Sequence, residues 1–320
     1  MKQAIKLRII FMGTPLFAKE ILEALIKNSY NIIAVFTQPD LPQGRKQEIV
    51  KSPVKILAET NQIPVYQPAS LNDEVAEEIK KLKPDIIIVA AYGKILPPKI
   101  LNIPGFGCIN VHASLLPKFR GPSPIQNALL AGMKETGITI FLMNQGIDTG
   151  DILAQEKIKI NPDDTAQSLS QKLSFLGAEL LLKTLPPWVE RKITPQKQDD
   201  SKTSLCQLIE REDGHIIWEE EAEKIYNKFR AFYPWPGIFG FWKNNDTLER
   251  LKFIKIKLEN ENSSAVTRSA GEVFKIGDEV AVQTMKGAII LEEIQPEGKK
   301  PMTAKDFIIG HPNFIGSVLE

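Results

Sequence analysis

Cysteine and histidine are scarce in this chain, numbering two and three among 320 residues. Cys108 and Cys206 stand far apart in unlike settings, so neither a disulfide framework nor a zinc site is expected, and a reducing cytoplasm is the expected compartment. No apolar run reaches the roughly 18 residues of a bilayer-spanning helix. The N-terminal IIFMG run is also too short for the apolar region of a secretory signal. The protein is therefore expected to be neither secreted nor embedded in a membrane. A dominant charge is missing too. The formal net charge is +1, which gives no global signal for nucleic acid and leaves any such partner to local patches. The first strand-to-helix turn lacks the G-x-G-x-x-G pattern, which argues against dinucleotide binding.

What is present reads as a soluble two-domain protein. Hydrophobic residues make up 43% and charged residues 25% of the chain, a globular balance, and the length suits two domains better than one. Leu7 to Met12 is a compact apolar run ending in Gly13, Thr14 and Pro15. Phe17, Ile21, Ala24 and Leu25 then recur at helical spacing, and Ile32 to Phe36 gives a second strand. This βαβ order predicts a parallel sheet with helices on both faces. Asp85 to Ala91 fits a central strand of that sheet, and Leu153 to Ile160 an antiparallel edge. A catalytic domain is expected over residues 1–190. Residues 191–205 lose apolar periodicity and read as a linker. From 206 to 320 come short strands at regular spacing, which predict a small barrel.

The reactive side chains concentrate in Cys108 to Gly121. Asn110 and His112 sit two apart on a predicted strand and so share a face. Ser114, Leu115, Leu116 and Pro117 follow as an apolar corner, which equally suits a plain strand end with the two leucines in the core. In a parallel sheet, ligands bind outside the C-terminal strand ends, and the turns at Gly13, Tyr92, Asn110 to Pro117 and Asp148 are all expected at that edge. Asn, His and Asp together suit amide or acyl transfer. Asn can donate to a developing oxyanion, His can move a proton near neutral pH, and Asp can orient the imidazole. Asp148 also suits a turn residue ahead of Thr149 and Gly150. Cys108 has no activating neighbours and reads as packing. The segment from Thr37 to Lys51, with Arg45 and Lys46, is longer than most connections and reads as a functional loop.

INVHASLLPKFRG, with YGKILP before it and GIDTGDIL after it, resembles the core of enzymes that use 10-formyltetrahydrofolate. Within that group RIIFMGTPLFA, VFTQPD, SPVKILAE, PVYQPASL, the DG-x-I-x-W pattern at Asp213 to Trp218, RAFYPWPG and LEEIQPEGKKPM are similar to the methionyl-tRNA formyltransferase family. The resemblance runs from about Arg8 to Phe307. It implies a Rossmann-like catalytic domain, a C-terminal OB-like barrel that binds tRNA, and formyl transfer to methionyl initiator tRNA in a cytoplasmic monomer that needs no metal. By resemblance the catalytic trio falls on Asn110, His112 and Asp148. The folate segment falls on Ser114, Leu115, Leu116 and Pro117 with Ile95 and Leu96, and the tRNA-sensing loop on Asp40 to Lys51. The sequence departs from the family pattern at Leu41 and Lys46.

From Cys206 onward acidic residues slightly outnumber basic ones, so tRNA binding there has to use local patches. Lys243, Lys252, Lys299 and Lys300 are the candidates, beside Arg45 and Lys46 in the loop. Two rival readings remain: a formyltransferase acting on a sugar nucleotide or ribonucleotide amine, and a non-catalytic tRNA-binding protein with a degenerate folate domain. The long loop and the appended barrel disfavour the first, and the intact trio disfavours the second.

Overall fold

The computed structural model describes residues 7–43, 48–245, 247–259 and 268–320. The chain divides into two compact units, one made of residues 1–124, 134–160 and 168–207, the other of 125–133, 161–167 and 208–320. The segment expected to be a linker, 191–205, lies within the first unit.

The first unit opens with β1 (Arg8–Gly13), α1 (Leu16–Lys27) and β2 (Asn31–Phe36), followed by the small hairpin β3 (Leu41–Gln43) and β4 (Glu48–Val50). Then come α2 (Pro53–Thr60), β5 (Val65–Tyr66), α3 (Asp73–Leu82), β6 (Ile86–Ala90), α4 (Pro98–Leu101) and β7 (Cys108–His112). After α5 (Pro124–Leu130), β8 (Glu135–Leu142), β9 (Ile152–Lys159) and α6 (Ala166–Val189) complete the N-terminal part. The seven-stranded sheet has the order β5-β2-β1-β6-β7-β8-β9. Its first five strands pair in parallel, and β8 alone runs the other way, antiparallel to both β7 and β9. Strand order reverses around β1, so the ligand crevice of an open sheet lies outside the ends of β1 and β6.

The helices form where the sequence supplies starts. Ser52 accepts a hydrogen bond from the Lys55 N–H and Pro53 occupies the first turn of α2, while Asn72 caps α3 through the Val75 N–H. Ala76 and Ile79 of α3 and Ile100 of α4 bury against Ile10, Met12, Ile87, Val89 and Cys108, covering one face of the sheet. On the other face, Gly177 of α6 lies against Val111; a Cβ there would stand 2.9 Å from Val111 Cγ1. Gly13 is equally tight, because an added Cβ would meet Ala18 Cβ at 2.6 Å and the Ala90 carbonyl at 2.7 Å.

One expectation fails in this sheet. The strand leading to Asp148 is expected to exit at the same edge as β1, β6 and β7, but β8 runs antiparallel to β7, with His112 opposite Thr139 and Ile109 opposite Leu142. The exit of β8 therefore lies at the opposite end. The connection through α5 returns to the edge where β7 ended instead of crossing back over the sheet, and strand composition carries no signal for that choice.

In the second unit, α7 (Ala222–Phe232) precedes β10 (Ile238–Asn244), β11 (Thr247–Glu259), β12 (Val273–Ile276), β13 (Glu279–Gln283), β14 (Ala288–Pro296), β15 (Met302–Thr303) and α8 (Ala304–Gly310). The strands are antiparallel in the order β10-β11-β14-β13-β12, with β15 on β14. The C-terminal residues join the two edges. Glu320 and Phe241 exchange backbone hydrogen bonds of 2.7 and 2.8 Å, while Val273 N–H donates to Ser317 and Leu319 N–H to Gly271. The result is an OB-like barrel. The DG-x-I-x-W pattern is its packing: Ile216 and Trp218 are buried, and Trp218 meets Phe253 edge-on.

Leu319 is 3% exposed and Val318 50%. Leu319→Ala should lower the urea unfolding free energy of the barrel by about 2–4 kcal/mol through lost burial and the cavity left. Val318→Ala should change it by less than about 0.5 kcal/mol. Equal effects would mean that Leu319 does not hold the barrel edges together.

Candidate active site

Period two along β7 places Cys108, Asn110 and His112 on one face, and burial gives them different chemistry. Cys108 is sealed among Ile100, Leu101 and Met143, and burial pushes its thiol pKa up to about 12. Asn110 is half-buried, and among the described residues nothing takes up its side-chain amide. His112 is 6% exposed. Its Nε2 lies 3.0 Å from the Phe119 carbonyl, which can only accept, so the ring proton sits on Nε2 in the neutral form. Nδ1 then faces Asp148 Oδ2 at 3.6 Å, an ion-pair distance longer than a hydrogen bond. The buried Phe141 ring meets the imidazole edge-on, with centroids 6.3 Å apart.

Asp148 is brought to His112 in spite of the antiparallel β8, because the loop after that strand folds back. Its backbone is left-handed, with φ 52°, and its Oδ2 accepts the Gly121 N–H at 2.8 Å. The three candidate catalytic residues are thus together. Gly121 has φ 121°, and a Cβ there would stand 2.5 Å from the Cys206 carbonyl, so only glycine presents its N–H in this way.

The folate candidates separate into two groups. Ser114 is fully buried and donates to the Lys118 carbonyl at 2.6 Å. Leu116 is 3% exposed; its N–H donates to Thr139 Oγ1 and its carbonyl accepts from Gln155 Nε2. Leu96 belongs to the core beside Tyr92, whereas Ile95 is 75% exposed. Leu115 and Pro117 are half-buried. Residues that composition did not single out hold this corner. Thr139 donates to the Ser114 carbonyl at 2.7 Å, and Gln155 also reaches Thr139 Oγ1 at 2.8 Å. Gln198, from the segment read as a linker, donates to the Asp148 and Gly150 carbonyls. Such bonds span up to 50 positions of sequence and leave no local pattern.

Arg45 and Lys46 lie outside the described residues. The base of their loop is fixed: Asp40 pairs with Lys55 and accepts from Gln67 Nε2 at 2.8 Å. In the second unit Lys243 is exposed, and Lys252 lies on the same hairpin face as Arg250, whose guanidinium stacks 3.6 Å above the Phe239 ring. Burial lowers the Lys252 pKa, with Arg250 and Arg211 adding to it. Gln295, opposite Lys252, donates to the carbonyl of Lys299, and Lys299 and Lys300 are exposed beside it.

The formyl transferase family model matches residues 6–185, and the formyl transferase C-terminal domain model matches residues 208–312. A methionyl-tRNA formyltransferase of Caldanaerobacter subterraneus subsp. tengcongensis is 44% identical over 316 residues, covering 98% of this chain and 100% of that protein. The chain belongs to the methionyl-tRNA formyltransferase family. Another member, from Caldicellulosiruptor saccharolyticus, is 46% identical over 97% of this chain and 99% of its own length. The same fold occurs in the N-formyltransferase of Helicobacter canadensis solved with folinic acid and dTDP-3-aminofucose, at a TM-score of 0.64 and 24% identity, covering 89% of this chain and 98% of that one. Among the described residues no group of three or more His, Cys, Asp or Glu side chains is placed to hold a metal, and no helix is long and apolar enough to cross a membrane.

Burial raises the pKa of Cys206 as it does that of Cys108. A thiol with a raised pKa stays protonated at pH 8, and the thiolate is the reacting form. Maleimide should therefore label neither cysteine of the native protein at pH 8 over minutes, and both in urea, as read by mass spectrometry. Rapid native labelling of Cys108 would contradict its place in the core.

Proposed function

We propose that this chain transfers the formyl group of 10-formyltetrahydrofolate to the free α-amino group of methionyl initiator tRNA, giving the N-formylmethionyl-tRNA used in translation initiation. Similarity over nearly the whole length to methionyl-tRNA formyltransferases supports the acceptor. The observation that carries the chemistry is the juxtaposition on β7 of an Asn110 amide, unpaired among the described residues, with a buried imidazole whose free nitrogen faces Asp148.

The folate supplies a formyl carbon bonded to a nitrogen that can leave. The exposed Ile95 and the half-buried Leu115 and Pro117 offer apolar surface to a flat ring, and the buried Leu96, Ser114 and Leu116 shape that surface from behind. The acceptor amine has an unperturbed pKa of about 7.7–8.0, so part of it is already neutral at cellular pH. As it attacks, Asn110 donates to the oxygen that gains charge. With Nε2 committed to Phe119, the proton shed by the amine goes to His112 Nδ1 and returns from there to the leaving nitrogen. The Asp148 carboxylate beside Nδ1 stabilises the imidazolium between those two transfers. The oxyanion contact therefore falls to Asn110 alone among these three residues.

Residues 1–190 carry the chemistry in this reading, and residues 206–320 act as the tRNA-binding domain through Lys243, Lys252, Lys299 and Lys300. Arg45 and Lys46 sense the acceptor from the loop anchored at Asp40. The enzyme works in the cytoplasm as a monomer.

The decisive assay incubates the protein with 10-formyltetrahydrofolate and methionyl initiator tRNA and looks for formylmethionyl-tRNA. Product with a nucleotide sugar, and none with the charged tRNA, would replace this reading with its small-acceptor rival. Asn110→Ala and His112→Ala should each lower kcat by about 10²- to 10³-fold, with unfolding midpoints near that of the wild type. A variant keeping more than about a tenth of the wild-type rate would remove its residue from the mechanism.

A further inference from the structure

The structure assigns Gln198 the part of a positioning residue that holds the Asp148 carboxylate at His112, with its amide oriented by the buried charge of Arg120. This inference rests on the formyl-transfer reading and deepens it. Arg120 is 6% exposed, yet carries a permanent charge that needs acceptors. Gln198 Oε1 receives a fork from its Nε and Nη2 at 3.0 and 2.8 Å. Asp200, at the surface, accepts from Nη2 at 2.7 Å. A flipped amide would aim its own hydrogens at the guanidinium, so only one orientation of Gln198 survives. That orientation sends Nε2 the other way, to the carbonyls of Asp148 and Gly150, both at 2.8 Å.

Asp148 is thereby gripped at two points. Gln198 fixes its carbonyl, and the Gly121 N–H fixes its Oδ2. Gly121 directly follows Arg120, so one short segment supplies both the N–H that holds the carboxylate and the charge that orients the amide. The grip matters because the Asp148 backbone is left-handed, with φ 52°, a conformation an aspartate keeps only when its surroundings hold it. The chain returning from an antiparallel strand has no sheet bonds at this point, and two side-chain bonds from a distant segment replace them.

The test uses Gln198→Glu in the full-length protein. Glutamate keeps an acceptor for Arg120, so the buried charge stays paired, but it loses both amide hydrogens and turns a carboxylate oxygen toward two carbonyls. Gln198→Glu should still unfold in one cooperative transition and lose up to about 100-fold in kcat through displacement of the loop. Its KM for both substrates should stay within about threefold, as expected for an interaction that acts in the transition state. The discriminating measurement is a double-mutant cycle with Asp148→Asn. If Gln198 acts through Asp148, Gln198→Glu should cost less than about threefold more in the Asp148→Asn background, whereas a general structural role would multiply the two losses. Wild-type kcat in Gln198→Glu, or fully multiplicative losses, would overturn the inference. A wild-type protein unable to formylate methionyl-tRNA would instead defeat the functional reading beneath it.

Discussion

An imidazole sealed from water has to place its N–H somewhere, and at His112 the Phe119 carbonyl is that place. Leaving such a donor unpaired in a buried site costs about 1–3 kcal/mol, so the geometry of the 117–121 loop is set by this demand. Phe119 takes a left-handed backbone, φ 58°, to turn its carbonyl onto the ring. Its own N–H is taken by Ser204 Oγ at 2.9 Å, the Arg120 N–H by the Ser204 carbonyl at 2.9 Å, and the Cys206 N–H by the Arg120 carbonyl at 2.8 Å. The loop is thus zipped to residues 204–206, and that pairing sets Gly121 where its N–H meets Asp148. One hydrogen bond on the histidine fixes the tautomer, and the same loop fixes the carboxylate.

The reversal of β8 is the second half of the arrangement. Had the strand run parallel to β7, its exit would have opened beside His112 and the Asp148 loop could have been short. Because it runs antiparallel, Thr139 comes to lie opposite His112 instead. From there its hydroxyl donates to the Ser114 carbonyl, and its oxygen accepts from the Leu116 N–H and from Gln155. The corner after β7 is consequently a hydrogen-bonded solid, with its buried polar groups satisfied internally. That leaves the Asn110 amide as the donor with no protein partner among the described residues of this corner, which is the condition under which a ligand oxygen becomes its best partner.

The legible part of this architecture was the part that repeats locally. The period of two puts Asn110 and His112 on one face, and the spacing of Phe17, Ile21 and Leu25 predicts a helix after the first strand. Strand direction has no such signature: Gly137 to Met143 reads as a strand whichever way it runs. The separation of Leu96 from Ile95 was equally hidden, since both are apolar and only packing beside Tyr92 buries one and exposes the other by 75%. Gln198 sits in RKITPQKQDDSKT, a stretch whose composition resembles a linker, and its bonds reach back to Asp148 and Arg120. A polar segment that docks through side-chain hydrogen bonds has the composition of one that does not dock at all.

The second unit shows how a domain without net basic charge can still present a basic face. Lys255 and Lys257 both pair with Glu292, which cancels part of their field. Lys243, Arg250 and Lys252 alternate along one face of the β10–β11 hairpin, and Lys299 and Lys300 follow through Gln295. Arg250 is held flat on Phe239, so its charge is presented at little further entropic cost. At physiological salt the screening length is about 8 Å, so a polyanion nearby responds to such a cluster and hardly to the acidic residues elsewhere on the barrel. The same screening limits steering from a distance. Affinity for a nucleic acid on this surface has to come from direct contacts with phosphates, and its salt dependence from the few cations that make them.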